Sequence, residues 1–220
     1  MSTADRLAEA QRLASWVEQA GGSCKAASVV ETPDRGLGLV AASALKRGDV
    51  VASVPLSLGI SAETALRSSL GPYLTEFEPA LADYAFIAVS LLHERRLGDQ
   101  SELSAWLSSA SLLPEDGFAD LPLLWDRDGV GISELDGATT AGATKRRNAL
   151  LEDYWWLKEN VFDPEPVFFP EVVFSYDAYA AALAIAISRS VTISVGADAE
   201  PAPVLMPMLD LVNHRGAAPN

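Results

Sequence analysis

Two regions of short-strand-and-turn pattern bracket a long block of helical periodicity, and that order limits what the chain can become. From Ser23 to Ser57 the runs Ala26–Glu31, Leu37–Ala42 and Asp49–Val54 are small or β-branched. Asp34-Arg35-Gly36 and Lys46-Arg47-Gly48-Asp49 separate them, which predicts a compact antiparallel meander. From Ser61 to about Asp163 the period becomes helical. Leu81, Tyr84, Ala85, Ala88, Leu91 and Leu92 form one stripe along Pro79–Leu97, Ser101–Ser109 is a shorter helix, and Thr144–Val161 carries Leu150, Leu151, Tyr154, Leu157 and Val161. Ser175 reads as the N-cap of a wholly apolar helix. Val191–Val195 and Val204–Asp210 then return to strand and turn. Strands, helices and strands again predict one α+β architecture with a large helical insertion. The expected divisions are a helix at 1–22, a first strand region at 23–60, the insertion at 61–165 and a second strand region at 166–220.

The longest uninterrupted apolar run, Ala178–Ile187, has ten residues, too few to cross a bilayer, so no membrane role is expected. Met1–Gln19 is no secretory signal, because acidic residues interrupt it. Leu7, Ala10, Leu13, Ala14 and Val17 make it an amphipathic helix ended by Gly21-Gly22. A folded chain of 23.3 kDa exposes about 9,700 Å² of the roughly 34,000 Å² of its unfolded form. With 49% hydrophobic residues there is ample material for a core, which excludes wholesale disorder. One cysteine, Cys24, excludes an internal disulfide, and with only His93 and His214 no Cys/His zinc site is expected. Sixteen basic against thirty acidic residues leave a net charge of −14. Nucleic acid is therefore not an expected partner, whereas a lysine-bearing protein segment is, although acidity also serves solubility alone.

Three segments could carry chemistry. Arg35-Gly36-Leu37-Gly38-Leu39 allows close backbone approach to a ligand or simply makes a hairpin turn. It is no dinucleotide fingerprint, since a strand follows it instead of a helix. Asp210-Leu211-Val212-Asn213-His214 offers several donors and acceptors beside an apolar run, as a ligand site or as a locally bonded turn. Arg189, in Ser188-Arg189-Ser190, is either a helix C-terminal cap or a buried anion partner. His93 and its charged neighbours read as a solvated helix face, and Tyr154-Trp155-Trp156 as core and rim of a packed helix.

The order of the motifs narrows these choices. Asp34-Arg35-Gly36-Leu37-Gly38-Leu39-Val40-Ala41 precedes Leu45-Lys46-Arg47-Gly48-Asp49-Val50-Val51 and Val54-Pro55. Leu92-His93-Glu94-Arg95, Leu113-Pro114, Leu135-Asp136-Gly137, Ser188-Arg189-Ser190 and Leu205-Met206-Pro207-Met208-Leu209-Asp210-Leu211-Val212-Asn213-His214 follow. This series resembles the SET-domain methyltransferases of the Rubisco large-subunit lysine methyltransferase type, whose β-fold of short strands is split by a helical insertion. In that light 23–60 and 166–220 are the two parts of the SET domain. The resemblance implies S-adenosylmethionine as methyl donor and a protein lysine as acceptor. It implies that Arg35, Gly36 and Leu37 line the methionine and ribose side, with Glu63 a looser contact. By the same resemblance Arg189 would approach the cofactor carboxylate, and Asn213 and His214 would hold its amino-acid and adenine parts, on a turn ordered by Asp210 through Leu211 and Val212. The resemblance implies no metal.

A lysine amine costs about 4.6 kcal/mol to neutralise at pH 7, so such a site must strip a proton and exclude water. Relatives that methylate histidine carry an asparagine two residues after the motif's arginine. Val191 stands there, which implies lysine. In the family a tyrosine after the Asn-His segment completes the acceptor channel. All five tyrosines here, Tyr73, Tyr84, Tyr154, Tyr176 and Tyr179, precede Asn213-His214. The expectation is a C-terminally incomplete chain whose catalytic tyrosine lies beyond Asn220. The alternative is a non-catalytic SET-like module that binds cofactor or a protein partner. A cytoplasmic setting is expected, with plastid and nucleus open.

Overall fold

A computed structural model describes residues 3–32, 36–75, 81–107, 136–194 and 200–212. By internal contacts the chain divides into two compact units. One comprises Met1–Gly59, Asp99–Pro114 and Arg189–Asn220; the other comprises Ile60–Gly98 and Glu115–Ser188.

The first unit opens with α1 (Thr3–Gln19), which buries Ala10, Leu13 and Val17 on one face. The helix stops where the sequence predicts. Gly21 adopts φ +94°, its N–H donates to the Glu18 carbonyl at 3.0 Å, and that of Gly22 donates to Val17 at 2.9 Å. A Cβ on Gly22 would meet the Ser53 carbonyl at 2.6 Å, so only glycine fits there. β1 (Ala27–Thr32) and β2 (Gly36–Ala41) pair antiparallel, from Ala27 opposite Ala41 to Thr32 opposite Gly36. Arg6 of α1 forms an ion pair with Glu31 of β1, fastening helix to hairpin. The third strand of the expected meander does not form. Within that run Ser53 bridges to Ser23 and Val50 stays 69% exposed, because among the described residues no neighbouring strand supplies the ladder that an extended run needs.

The second unit holds the helical insertion. α2 (Ala62–Arg67) starts in a capping box in which Ser61 accepts from the Thr64 N–H and Thr64 from that of Ser61. After α3 (Gly71–Leu74), α4 (Asp83–Leu97) buries every residue from Ala85 to His93. His93 is therefore not on a solvated face. It is 2% exposed, shares a 2.9 Å hydrogen bond with Ser69 Oγ and stacks on Phe168 at 5.1 Å.

The short α5 (Ser104–Leu107) belongs to the first unit and packs on α1. α6 (Gly137–Leu157) begins earlier than its apolar pattern does, because the Asp136 carboxylate accepts from Ala138 and Thr139. It runs into a wider turn at Lys158–Phe162. Phe162, Phe169 and Phe174 then pack with centroids 5.0–5.2 Å apart, and the Tyr154 hydroxyl donates to the Phe174 carbonyl. Ser175 caps α7 (Tyr176–Arg189) as expected, accepting from the Ala178 N–H. β3 (Val191–Ile193) and β4 (Ala202–Val204) form a second hairpin in the first unit.

Candidate functional site

α7 is apolar through Ile187 and ends on a charge, and that ending places Arg189 in the first unit. Its Nη1 donates to the backbone carbonyl of Asp210 at 3.1 Å. Neither simple alternative from the sequence is complete: the guanidinium grips the main chain of the second motif while it lies half-buried beside that motif's carboxylate. Burial lowers the Arg189 pKa, and the Asp210 charge partly restores it.

Asp210 sits in a tight turn, Leu209–Leu211, entered through Met208. Met208 has φ +66° and ψ −36°, and it is the one non-glycine residue with positive φ among the described residues. Such a conformation costs of order 1–3 kcal/mol and persists where the surroundings over-determine it. The surroundings here are tight. Met206, Met208 and Leu211 are buried, and a Cβ on Gly59 would meet the Met206 sulfur at 2.5 Å.

The Asp210 carboxyl is buried, and burial pushes its pKa up to about 6. The Trp106 indole, the Arg189 charge and the backbone N–H groups of Asp210 and Met208 pull it partly back. Trp106 Nε1 donates to Oδ2 at 3.2 Å, while Oδ1 lacks a partner with hydrogen-bond geometry among the described residues. The Ser190 hydroxyl, next to Arg189, is a second buried polar atom without such a partner.

β2 lies against this turn. Gly36 and Leu37 open that strand, so the structure brings Gly36, Leu37, Arg189, Asp210 and Leu211 into one unit. Leu211 is buried and Val212 is 58% exposed. Arg35, Asn213 and His214 lie outside the described residues. Glu63 lies in the other unit, on α2, where its exposed carboxylate pairs with Arg67 at 2.6 Å. Sequence reasoning did not find Trp106 or Ser190. Trp106 sits on a four-residue helix with no motif around it, and Ser190 stands inside a quoted motif as an ordinary hydroxyl.

Among the described residues no helix is long and apolar enough to cross a membrane. No three His, Cys, Asp or Glu side chains among them converge as a metal site.

Solved structures share this fold. The crystal structure of the SET domain of LSMT bound to lysine and AdoHcy superposes with a TM-score of 0.79 over 97% of this chain and 45% of that one, at 23% identity. Rubisco LSMT bound to AdoMet gives 0.73 over 94% and 45%, also at 23% identity. In sequence, SET domain-containing protein 4 of Mus musculus is 30% identical over 190 residues, covering 83% of this chain and 42% of the relative. The chain has a SET-type fold and is similar in sequence to SET-domain proteins. The chloroplastic ribulose-1,5-bisphosphate carboxylase/oxygenase large subunit N-methyltransferase of Pisum sativum is 26% identical over 180 residues, 81% of this chain and 33% of that protein. No protein-family model matches. This SET chain spans less than half the length of the curated relatives it matches. The α+β expectation of short strands split by helices thus holds at the level of fold, and the relatives found agree with the resemblance of the ordered motifs.

Proposed function

We propose that this SET chain binds S-adenosylmethionine and serves methyl transfer to a lysine of a protein substrate. The observation that carries the reading is Arg189 clasping the Asp210 carbonyl beside a strained turn, on a SET fold. The donor chemistry suits the cofactor. A guanidinium, a buried hydroxyl at Ser190 and a buried carboxyl at Asp210 match an amino-acid end that carries a carboxylate and an ammonium group. Crystal structures of LSMT with AdoMet and AdoHcy support the same ligand for this fold.

In this reading Arg189 directs the donors left free by its Asp210 bond to the cofactor carboxylate. Gly36 and Leu37, with Arg35 before them, line the methionine and ribose side. Asp210, Leu211 and Val212 carry the turn that presents Asn213 and His214 to the amino-acid and adenine parts, and Glu63 is a further contact. S-adenosylmethionine supplies an electrophilic methyl group on a sulfonium sulfur. Val191, which opens β3 with no hydrogen-bonding side chain, contributes an apolar wall that disfavours a charged amine and cannot hold an imidazole. The net charge of −14 favours encounter with a basic, lysine-bearing segment. That substrate is a protein of the cytoplasm or of the plastid, where two plant relatives are named as chloroplastic.

Calorimetric titration with S-adenosylhomocysteine tests the site. The unsubstituted chain binds, and Arg189→Ala loses affinity by tenfold or more, as expected for a lost charge-assisted bond. No binding by the unsubstituted chain overturns the reading.

A further inference from the structure

α5 is only four residues long, yet it places a fully buried tryptophan against a buried carboxyl 104 residues further along the chain. The segment is built for that delivery. Ser101 Oγ accepts from the Leu103 N–H at 3.0 Å, the Trp106 N–H donates to the Leu103 carbonyl at 2.9 Å, and α5 rests on α1. Asp210 is consequently fixed at both ends, its side chain by Trp106 and its main-chain carbonyl by Arg189. Between these two anchors and the hairpin strand β2 lies the turn that Met208 enters with positive φ.

We propose that Trp106 is a positioning residue for the cofactor: its indole N–H holds the Asp210 carboxylate, and through it the Leu209–Leu211 turn and the aim of Arg189. This rests on the cofactor reading given above. Trp106 touches no reacting atom; it acts through Asp210. A core tryptophan that merely fills space has no need of its N–H, whereas here the N–H meets a carboxyl that burial otherwise penalises. A charge-assisted N–H···O bond is roughly twice as strong as a neutral one, so the ionised form of Asp210 is the one that holds the turn.

Among the described residues the groups facing Asp210 are few. α5 brings Trp106 and no titratable side chain, the end of α7 brings Arg189, and β2 (Gly36–Ala41) brings none. Affinity for S-adenosylhomocysteine therefore falls as pH drops through about 6, where the carboxyl takes up its proton.

The test is calorimetric titration of S-adenosylhomocysteine from pH 5 to 8 into the unsubstituted chain, Trp106→Phe, Asp210→Asn and the double variant. Trp106→Phe lowers affinity about tenfold at pH 8. It also moves the pH midpoint upward, because the carboxylate has lost its donor. Asp210→Asn flattens the pH profile, and adding Trp106→Phe to it costs less than Trp106→Phe alone, because only the weaker neutral bond remains to be lost. An unshifted midpoint with additive losses makes Trp106 a packing residue and overturns the proposal while leaving the cofactor site standing. Absence of binding by the unsubstituted chain overturns the cofactor reading and this proposal with it.

Discussion

The two units invest their buried volume differently. In the unit containing Ile60–Gly98 and Glu115–Ser188, rings meet rings: Phe162, Phe169 and Phe174 pack together, Tyr154 lies 6.3 Å from Phe162, and α4 is buried all round from Ala85 to His93. In the unit containing the two hairpins, the buried volume includes a carboxyl of raised pKa, an unpartnered hydroxyl and a strained backbone. The rings stabilise, although buried polar atoms occur among them too, such as His93 Nδ1 and the Tyr179 hydroxyl; in the second unit such groups gather beside one strained turn, at a cost in stability. A fold tolerates the second kind of cost where a ligand, or a bond aimed at one, makes use of it.

Removing a ring tests the stable side of the contrast and should give the largest effect. Phe169 is buried and contacts Tyr73, Phe162, Phe168 and Phe174. Phe169→Ala should destabilise by about 3–5 kcal/mol through lost transfer energy and a residual cavity, read as a lower urea midpoint. A cost within the range of surface substitutions, about 0.5 kcal/mol, would mean that the aromatic cluster is not the store of stability it looks to be.

Neutralising the buried carboxyl tests the other side. The Asp210 pKa rises from 3.8 to about 6 on folding, so the folded chain holds the proton more tightly than the unfolded one. Stability contributed by the protonated group is therefore lost as pH rises through that window, and the ionised group costs up to about 3 kcal/mol at neutral pH. Asp210→Asn keeps an acceptor for Trp106 and removes the charge. It should raise the melting temperature at pH 8 while weakening S-adenosylhomocysteine, two effects of opposite sign from one atom. A variant less stable at pH 8 than the unsubstituted chain would show that the charge is well solvated.

Glu63 gives a smaller effect. Its exposed pair with Arg67 is worth only a few tenths of a kcal/mol, so Glu63→Gln should leave stability unchanged to within about 0.5 kcal/mol. A fall in cofactor affinity at unchanged stability is the expected result; unchanged affinity removes Glu63 from the site.

Much of this was legible in the sequence where local chemistry decides. α1 ends at its glycines, Ser175 caps α7, and Gly36-Leu37-Gly38 opens a hairpin strand, because each depends on residues a few positions apart. What was not legible depends on distance. Nothing around Trp106 announces a partner 104 residues away. Nothing around Asp49–Val54 announces that no strand will pair with it. His93 sits among Glu94, Arg95 and Arg96, which makes its turn read as a surface, and only the packing of the whole helix shows otherwise. Arg35, Asn213 and His214 are assigned to the candidate site by their motifs alone.

His93 closes the comparison, because it titrates against Asp210. Burial holds its pKa below the ordinary histidine value of 6.5, and Arg96 pushes the same way against Glu94. Ser69 shares a hydrogen bond with Nε2, Nδ1 has no partner, and Phe168 stacks on the ring with the Arg96 guanidinium 5.4 Å from the Phe168 centroid. The folded chain thus binds this proton less tightly than the unfolded one. The stability it contributes is present above pH 6.5 and lost as pH falls through the lowered pKa. On the acid side the carboxyl and the imidazole oppose one another, one favouring the fold as acid is added and the other disfavouring it. His93→Gln keeps a partner for Ser69 without a titrating ring, so urea midpoints measured from pH 8 to 5 should fall less steeply than in the unsubstituted chain. The effect is the smallest of the four, and Asp210→Asn should steepen the same limb. Parallel profiles for all three proteins would mean that neither buried group governs the acid side.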